Sequence, residues 1–317
     1  LILPVFKRLG THPLLRLTVA AGLLLGIANW LVPPAQLLAA FTSLHSSWLL
    51  LAASLGLLGL VVQWWKWRRL VHDGLPAISE SEILRSLFVG FGLGMLTPGR
   101  LGELGRGLGW PGGRIRATTL TAADRLISSL VTLTIAAGCA LYFVSSAWRL
   151  ACVGLILAIV GIASFASVRR RFGRSLTERL LRRLGVSPNL GVTRAGWRSN
   201  ASAAVLFNLI FLLQMLCILR ASGPVAYETA IAIPIMFALK ALLPISFMDL
   251  GVREGAAIAV LGPLGVSAVI AVQSSLLLFT MNVLLPGVAG LLVLARGTNH
   301  PSLTNSNPRV EFAHVRC

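Results

Sequence analysis

Six charged residues sit in two places where an apolar helix should not carry them. One is Leu96-Thr97-Pro98-Gly99-Arg100-Leu101-Gly102-Glu103, with Arg106 just beyond. The other is Leu243-Pro244-Ile245-Ser246-Phe247-Met248-Asp249-Leu250-Gly251-Val252-Arg253-Glu254. Arg100, Glu103 and Arg106 are spaced by three, so on a helix they share one face. Asp249 and Arg253 are four apart, with Glu254 alongside. A charge at the centre of a bilayer costs about 2.5–3.5 kcal/mol, so six left unpaired would cost about 15–20 kcal/mol. That exceeds the roughly 5–15 kcal/mol by which a domain is stable. The charges must therefore be paired, hydrated or near a surface, and a polar cavity between the two stretches would satisfy them all. Arg100 and Arg253, with backbone N–H groups at helix starts, suit a phosphate oxygen. Glu103 and Glu254 would hold those guanidinium groups in place or pair with an amine on a substrate. The alternative is an internal ion-pair brace between the two stretches.

Three further residues belong beside these. Asp124-Arg125 near the start of an apolar run could reach the same cavity, or could be a snorkelling interfacial pair. Lys240, in the apolar arm before Pro244, is costly unless it faces polar surroundings. Asn208, Gln214, Gln273 and Asn282 also lie in apolar runs, where such residues usually bond one helix to another. No catalytic constellation accompanies them: no His lies near either stretch, and no acids cluster for a metal. His45 and His72 fall near expected span ends. Gly107-Leu108-Gly109-Trp110-Pro111-Gly112 matches a dinucleotide fingerprint only literally, with no strand before it and Pro111 breaking it. No cofactor is expected.

The elements that must position these residues are helices. Expected spans cover 14–32, ended by Pro33-Pro34, then 47–65, 118–144, 148–167, 201–221 and 266–295, the last kinked at Pro286. A short amphipathic stretch, 35–44, lies at the interface. Ser79 and Glu82 form a capping-box pattern that starts a helix running to about Leu96, too short to span comfortably. Gly90, Gly92 and Gly94 on it permit close approach of a neighbouring helix. Pro98 and Gly99 break it, and a second arm begins near Arg100 and fades by Gly112-Gly113. The same layout recurs later: a helix over 228–243, a break at Pro244 to Gly251, and a returning arm over 252–261. Interrupted apolar segments at matching places in two halves point to a transport site between repeats.

Composition agrees. Of 317 residues, 56% are hydrophobic and 12% charged, with mean hydropathy +0.82, against about 25% charged in a soluble domain. The net charge of +18 is concentrated at the ends of apolar runs, as in Lys66 to Arg69, Arg169 to Arg171, Arg182-Arg183, Arg194 and Arg198. That is the positive-inside pattern rather than a nucleic-acid footprint. The resulting topology keeps both termini cytoplasmic and inserts the two hairpins from opposite faces. The expected fold is thus all-α and polytopic, with about six to eight spans and two re-entrant or broken-helix hairpins in an inverted repeat. One transmembrane domain covers 1–297, with repeat-like halves over 46–144 and 201–296 and a basic cytoplasmic segment over 169–200. A disordered polar tail fills 298–317. Cys139, Cys152, Cys217 and Cys317 show no metal or redox spacing.

Leu-Thr-Pro-Gly-Arg-Leu-Gly-Glu over 96–103, Asp124-Arg125, and Gly251-Val252-Arg253-Glu254-Gly255 resemble the membrane domain of the lysylphosphatidylglycerol synthetase/flippase-like family. The resemblance runs in order over most of 48–296. It implies a membrane lipid flippase that moves a phospholipid or lipid-linked intermediate between leaflets and leaves the lipid open; the expected location is the plasma membrane, and the arginines above favour a phosphate headgroup. Relatives with synthetase activity carry a cytoplasmic aminoacyl-transferase domain that this chain does not show, so that activity is not implied. Phe247-Met248-Asp249 and the very basic middle segment depart from the family pattern. Competing readings are a membrane-embedded transferase acting on a lipid, and a non-transporting partner of a lipid-modifying enzyme.

Overall fold

Long runs of Leu, Ala, Val and Ile without interior breakers become long helices. The computed structural model describes residues 34–75, 78–108, 110, 113–145, 149, 153–154, 192–242 and 249–297. The expected span over 14–32, nearly all of that over 148–167, the basic segment before 192, Pro244 with its neighbours, and the polar tail lie outside those residues.

Helix α1 is Pro34–Thr42, α2 Ser46–Gly74, α3 Glu80–Leu96, α4 Arg114–Phe143, α5 Arg194–Ser222, α6 Tyr227–Leu242 and α7 Val252–Leu261. Helix α8, Ala268–Phe279, passes through a π turn at Thr280–Leu284 into α9, Leu285–Gly297. Short 3-10 segments occupy Pro98–Gly107 and Gly262–Leu264. No strand occurs among the described residues. Four helical stretches are long and apolar enough to cross a membrane: Ser46–Gly74, Arg114–Phe143, Ala195–Ser222 and Ala268–Arg296. Leu50, Leu57, Val61, Leu126, Leu209 and Leu292 point outward from them, as a lipid solvent requires.

Helix α2 outruns its expected end at Trp65. At 29 residues it is about 44 Å long, more than the roughly 30 Å of hydrocarbon. It continues because Lys66, Trp67, Leu70 and Val71 are buried, so protein rather than water receives its last turns. The capping box at α3 forms as expected: Glu82 N–H donates to Ser79 Oγ at 3.4 Å, and Ser79 N–H to Glu82 Oε2 at 3.2 Å. Near Pro286, where a kink is expected, a π turn at Thr280–Leu284 interrupts the regular helix. The returning arm Val252–Leu261 has the expected bounds.

Two antiparallel pairings organise the bundle. Helices α2 and α5 run side by side along their full lengths. His45 N–H donates to the Ala221 carbonyl at 3.0 Å at one end, and Arg69 to Ser199 Oγ at 2.8 Å and Thr193 Oγ1 to Asp73 Oδ2 at 3.1 Å at the other. Helices α3 and α9 cross with backbones touching, because Gly92 and Gly290 meet and a Cβ on Gly290 would run into the Phe88 carbonyl. Helix α4 is antiparallel to α6, with the Tyr142 and Tyr227 hydroxyls bonded where the end of one meets the start of the other. That pairing brings the beginning of α4 to the end of α6. It joins a core around Trp67, Ile83, Leu87 and Leu120 to one around Met215, Ile233, Met236 and Leu261.

Candidate functional site

The first break is sharper than a simple hairpin turn. Helix α3 ends at Leu96, and Gly99 and Arg100 both take left-handed backbone conformations (φ 57°). A left-handed conformation costs an L-residue about 1–2 kcal/mol, and such strain gathers at functional sites. Thr97 Oγ1 secures the turn, donating to the Leu93 carbonyl at 3.0 Å and accepting from Gly102 N–H at 2.5 Å. The second arm, expected to run from Arg100 to about Gly112, consists instead of 3-10 turns over Pro98–Gly107, interrupted at the left-handed Gly99 and Arg100. The left-handed Arg100 bars a regular helical start there.

The spacing of Arg100, Glu103 and Arg106 does bring them together. Glu103 is the hub. Its Oε1 pairs with Arg100 at 2.7 Å and with Arg125, and its Oε2 with Arg106 at 2.9 Å. The adjacent Asp124 faces the other way and pairs with Lys66 Nζ at 2.9 Å, with Arg106 3.8 Å away. Lys66 also donates to Ser128 Oγ at 2.7 Å, and Asn200 Nδ2 to Asp124 Oδ1 at 2.9 Å. Arg106 lies over the Trp67 ring at 5.0 Å, and Trp67 stacks on Trp110. Two of the three glycines of α3 make room for this chemistry rather than for a helix. A Cβ at Gly90 would strike the Arg106 stem, and one at Gly94 the Glu103 stem. Only Gly92 serves helix packing as expected.

Of the second break, Asp249 to Gly251 lie among the described residues. Asp249 is left-handed (φ 60°), as is Gly251 (φ 80°). Lys240 Nζ pairs with Asp249 Oδ2 at 2.8 Å. Asp249 also lies within electrostatic reach of Arg100 and Arg125, which brings the end of the second break near the first. Arg253 and Glu254 turn elsewhere. Glu254 accepts from Gly251 N–H at 2.7 Å and from Ser275 Oγ at 3.1 Å, and pairs with Arg253. Arg253 also donates to Ser275 Oγ at 2.7 Å and rests on the Phe279 ring at 4.5 Å. Both are buried, and their charges close on each other.

Openness separates the members. The Arg125 and Arg100 side chains are 31% and 21% exposed, against 4% for Arg106 and Glu103. The Nε atoms of Arg100, Arg106 and Arg125 have no hydrogen-bond partner among the described residues. Among the described residues, the two breaks and their neighbours hold six cations, Lys66, Arg100, Arg106, Arg125, Lys240 and Arg253, against four anions, Glu103, Asp124, Asp249 and Glu254. The group therefore carries an excess of two positive charges.

Lys66 and Asn200 escape a reading of the sequence. Lys66 opens the run Lys66-Trp67-Arg68-Arg69 and looks like one more interfacial cation. The signal that separates it is register: Val62, Lys66 and Leu70 form one stripe, and all three are buried. The remaining polar residues bond helices together as expected. Asn282 Nδ2 donates to Gln214 Oε1 at 2.8 Å, Thr132 Oγ1 to Asn208 Oδ1 at 2.9 Å, and Ser222 Oγ to Gln273 Oε1 at 3.3 Å. Among the described residues no group of three or more His, Cys, Asp or Glu is placed to hold a metal.

The family model for the lysylphosphatidylglycerol synthase TM region matches residues 14–290. No curated protein and no solved structure matches the chain.

Proposed function

This chain belongs to the lysylphosphatidylglycerol synthase transmembrane-region family, and from that premise we propose that it translocates a lipid with a phosphate headgroup between leaflets. The observation that carries the proposal is the excess of two positive charges in the group around the two breaks, with Arg125, Lys240 and Arg100 its partly open members. Buried charge is normally balanced by opposite charge within the protein. An imbalance of this sign is relieved by an anionic ligand, and paired guanidinium groups match phosphate oxygens.

The residues divide by role. Arg100 and Arg125 contact the headgroup phosphate, and Glu103 holds them ready. Lys66, Arg106 and Asp124 anchor that carboxylate-and-guanidinium group to α2 and α4. Lys240 and Asp249 complete the far wall. Arg253 and Glu254 brace α7 against α8.

The layout supports alternating access by an inverted repeat. Helices of 29, 17 and 30 residues (α2, α3, α4) are matched by helices of 29 and 16 residues (α5, α6) and the 29-residue stretch Ala268–Arg296. A break follows the shorter helix in each half, and the first helices of the halves run antiparallel. The acyl chains would stay in lipid while the headgroup crosses between the breaks.

The test is lipid movement in proteoliposomes, using aminoacylated, anionic and polyprenyl-phosphate lipids in parallel. Arg125→Gln should slow the transported class about ten- to a hundredfold, the loss of one charge-assisted hydrogen bond of about 1.5–3 kcal/mol, while the protein stays folded. Movement of no lipid by folded wild-type protein would overturn the proposal.

A further inference from the structure

A cavity of about 470 Å³ opens at the end of the bundle remote from the basic helix starts, between the beginning of α2, the last turns of α5 and the beginning of α6. Its walls are apolar and aromatic: Trp48 and Leu51 from α2, Leu213 and Leu216 from α5, and Tyr227 from α6. The volume lies in the range of ligand pockets, roughly 300–1,000 Å³. One charge enters it, Arg220, in the last turn of α5. Arg220 is exposed and makes no ion pair among the described residues, and the next acid along the chain, Glu228, does not engage it.

A cation at a helix C-terminus is favourable in itself, because the carbonyl ends there are negative. That does not explain an apolar hollow lined by the same residue. The combination of a guanidinium with no ion pair among the described residues, the Trp48 and Tyr227 rings, and an otherwise apolar lining has the polarity profile of one lipid molecule. Trp and Tyr favour the headgroup level of a bilayer, which places Arg220 at the depth of phosphates and the pocket at the depth of acyl chains.

We propose that this cavity binds an anionic phospholipid from the leaflet opposite the basic helix ends, with the phosphate on Arg220 and an acyl chain between α2 and α5. The site is distinct from the charged group between the breaks. Tyr227 and Lys240 stand at opposite ends of α6, thirteen residues or about 20 Å apart along the axis. The inference does not depend on lipid translocation.

A photoreactive benzoylphenylalanine at Leu216 reads the occupant directly. The full chain is placed in nanodiscs of phosphatidylcholine, or of phosphatidylcholine mixed with phosphatidylglycerol, irradiated, and the lipid adducts are identified by mass spectrometry. Phosphatidylglycerol adducts should exceed their share of the bilayer. Arg220→Gln should lower them about tenfold, the loss of one charge-assisted hydrogen bond, and Arg220→Lys should keep most of them. Circular dichroism and melting of each variant report its folding, and Arg220→Lys supplies a second, conservative comparison. Adducts in proportion to bilayer composition, or unaffected by Arg220→Gln, would identify annular lipid only and overturn the proposal. Loss of adduct with unchanged lipid movement would leave the translocation proposal intact, and the converse would leave this one intact.

Discussion

Asp124 is the residue whose loss should be felt most in folding rather than in transport. It is buried and accepts from both Lys66 and Asn200. Asp124→Asn leaves the Lys66 ammonium buried without a counter-charge, and breaking one side of a buried pair costs about 3–5 kcal/mol. Adding Lys66→Met should recover most of that loss, because replacing a whole buried pair by apolar groups is often neutral. Thermal unfolding in detergent of the two single variants and the double variant checks this; equal instability of the double variant and Asp124→Asn would count against it. The pairing of Lys66 with Asp124 links residues 58 positions apart, so no local spacing announces it. What local spacing does announce is the row Arg100, Glu103, Arg106, since residues three apart meet whether the turn is α-helical or 3-10. Arg253 and Glu254 are equally visible in sequence, but their closure on Ser275 and Phe279 depends on where α8 packs, which periodicity does not encode.

At the scale of elements, the contact between α3 and α9 rests on the absence of side chains. Gly290→Ala would push a methyl group into the Phe88 carbonyl and the Gly92 backbone, and overpacking of this kind costs about 1–3 kcal/mol. Because α3 carries the first break, the same change should also shift the Arg106 and Glu103 stems seated at Gly90 and Gly94. A melting temperature unchanged by Gly290→Ala would show that the helices separate freely. The start of α3 is held from outside the apolar region by Glu80, which binds Arg68 at 2.6 Å and His72 at 2.9 Å. The Arg68 hydrogen bond, then that of His72, holds the Glu80 carboxyl down at about 2, below its ordinary 4.5. A carboxyl depressed in the folded state contributes stability above its unfolded value and loses it as pH falls through its folded value. The melting difference between wild type and Glu80→Gln should therefore be present at neutral pH, shrink as pH falls from 4.5 toward about 2, and weaken in high salt. A gap that persists at pH 2 would assign the effect to packing. Helix positions were readable here because capping and apolar length are local; the 3-10 form of the second arm was not, because it follows from the left-handed Arg100.

For the molecule as a whole, the long apolar helices mark a membrane protein on composition alone, and the outward Leu and Val residues agree. The pairing of α2 with α5 and of α4 with α6, which carries the two breaks to one place, is a tertiary result that hydropathy only hints at through the recurrence of helix lengths. The charge imbalance at that place has an electrical consequence. A group bearing two excess positive charges when empty, and fewer when it holds an anion, feels the voltage across the membrane differently in its two conditions. One elementary charge crossing the full field corresponds to about 2.3 kcal/mol per 100 mV. Displacement of the empty group between the two faces would thus be electrogenic. An inside-negative potential would draw the unloaded group toward the inner face and oppose the outward passage of the loaded, less positive group more weakly, so that over a full cycle the resting voltage itself favours net outward movement of the anion without any nucleotide. Imposing potassium diffusion potentials of either sign on proteoliposomes should change the rate in opposite senses, and a rate indifferent to voltage would mean that the charged group stays fixed while the lipid moves past it.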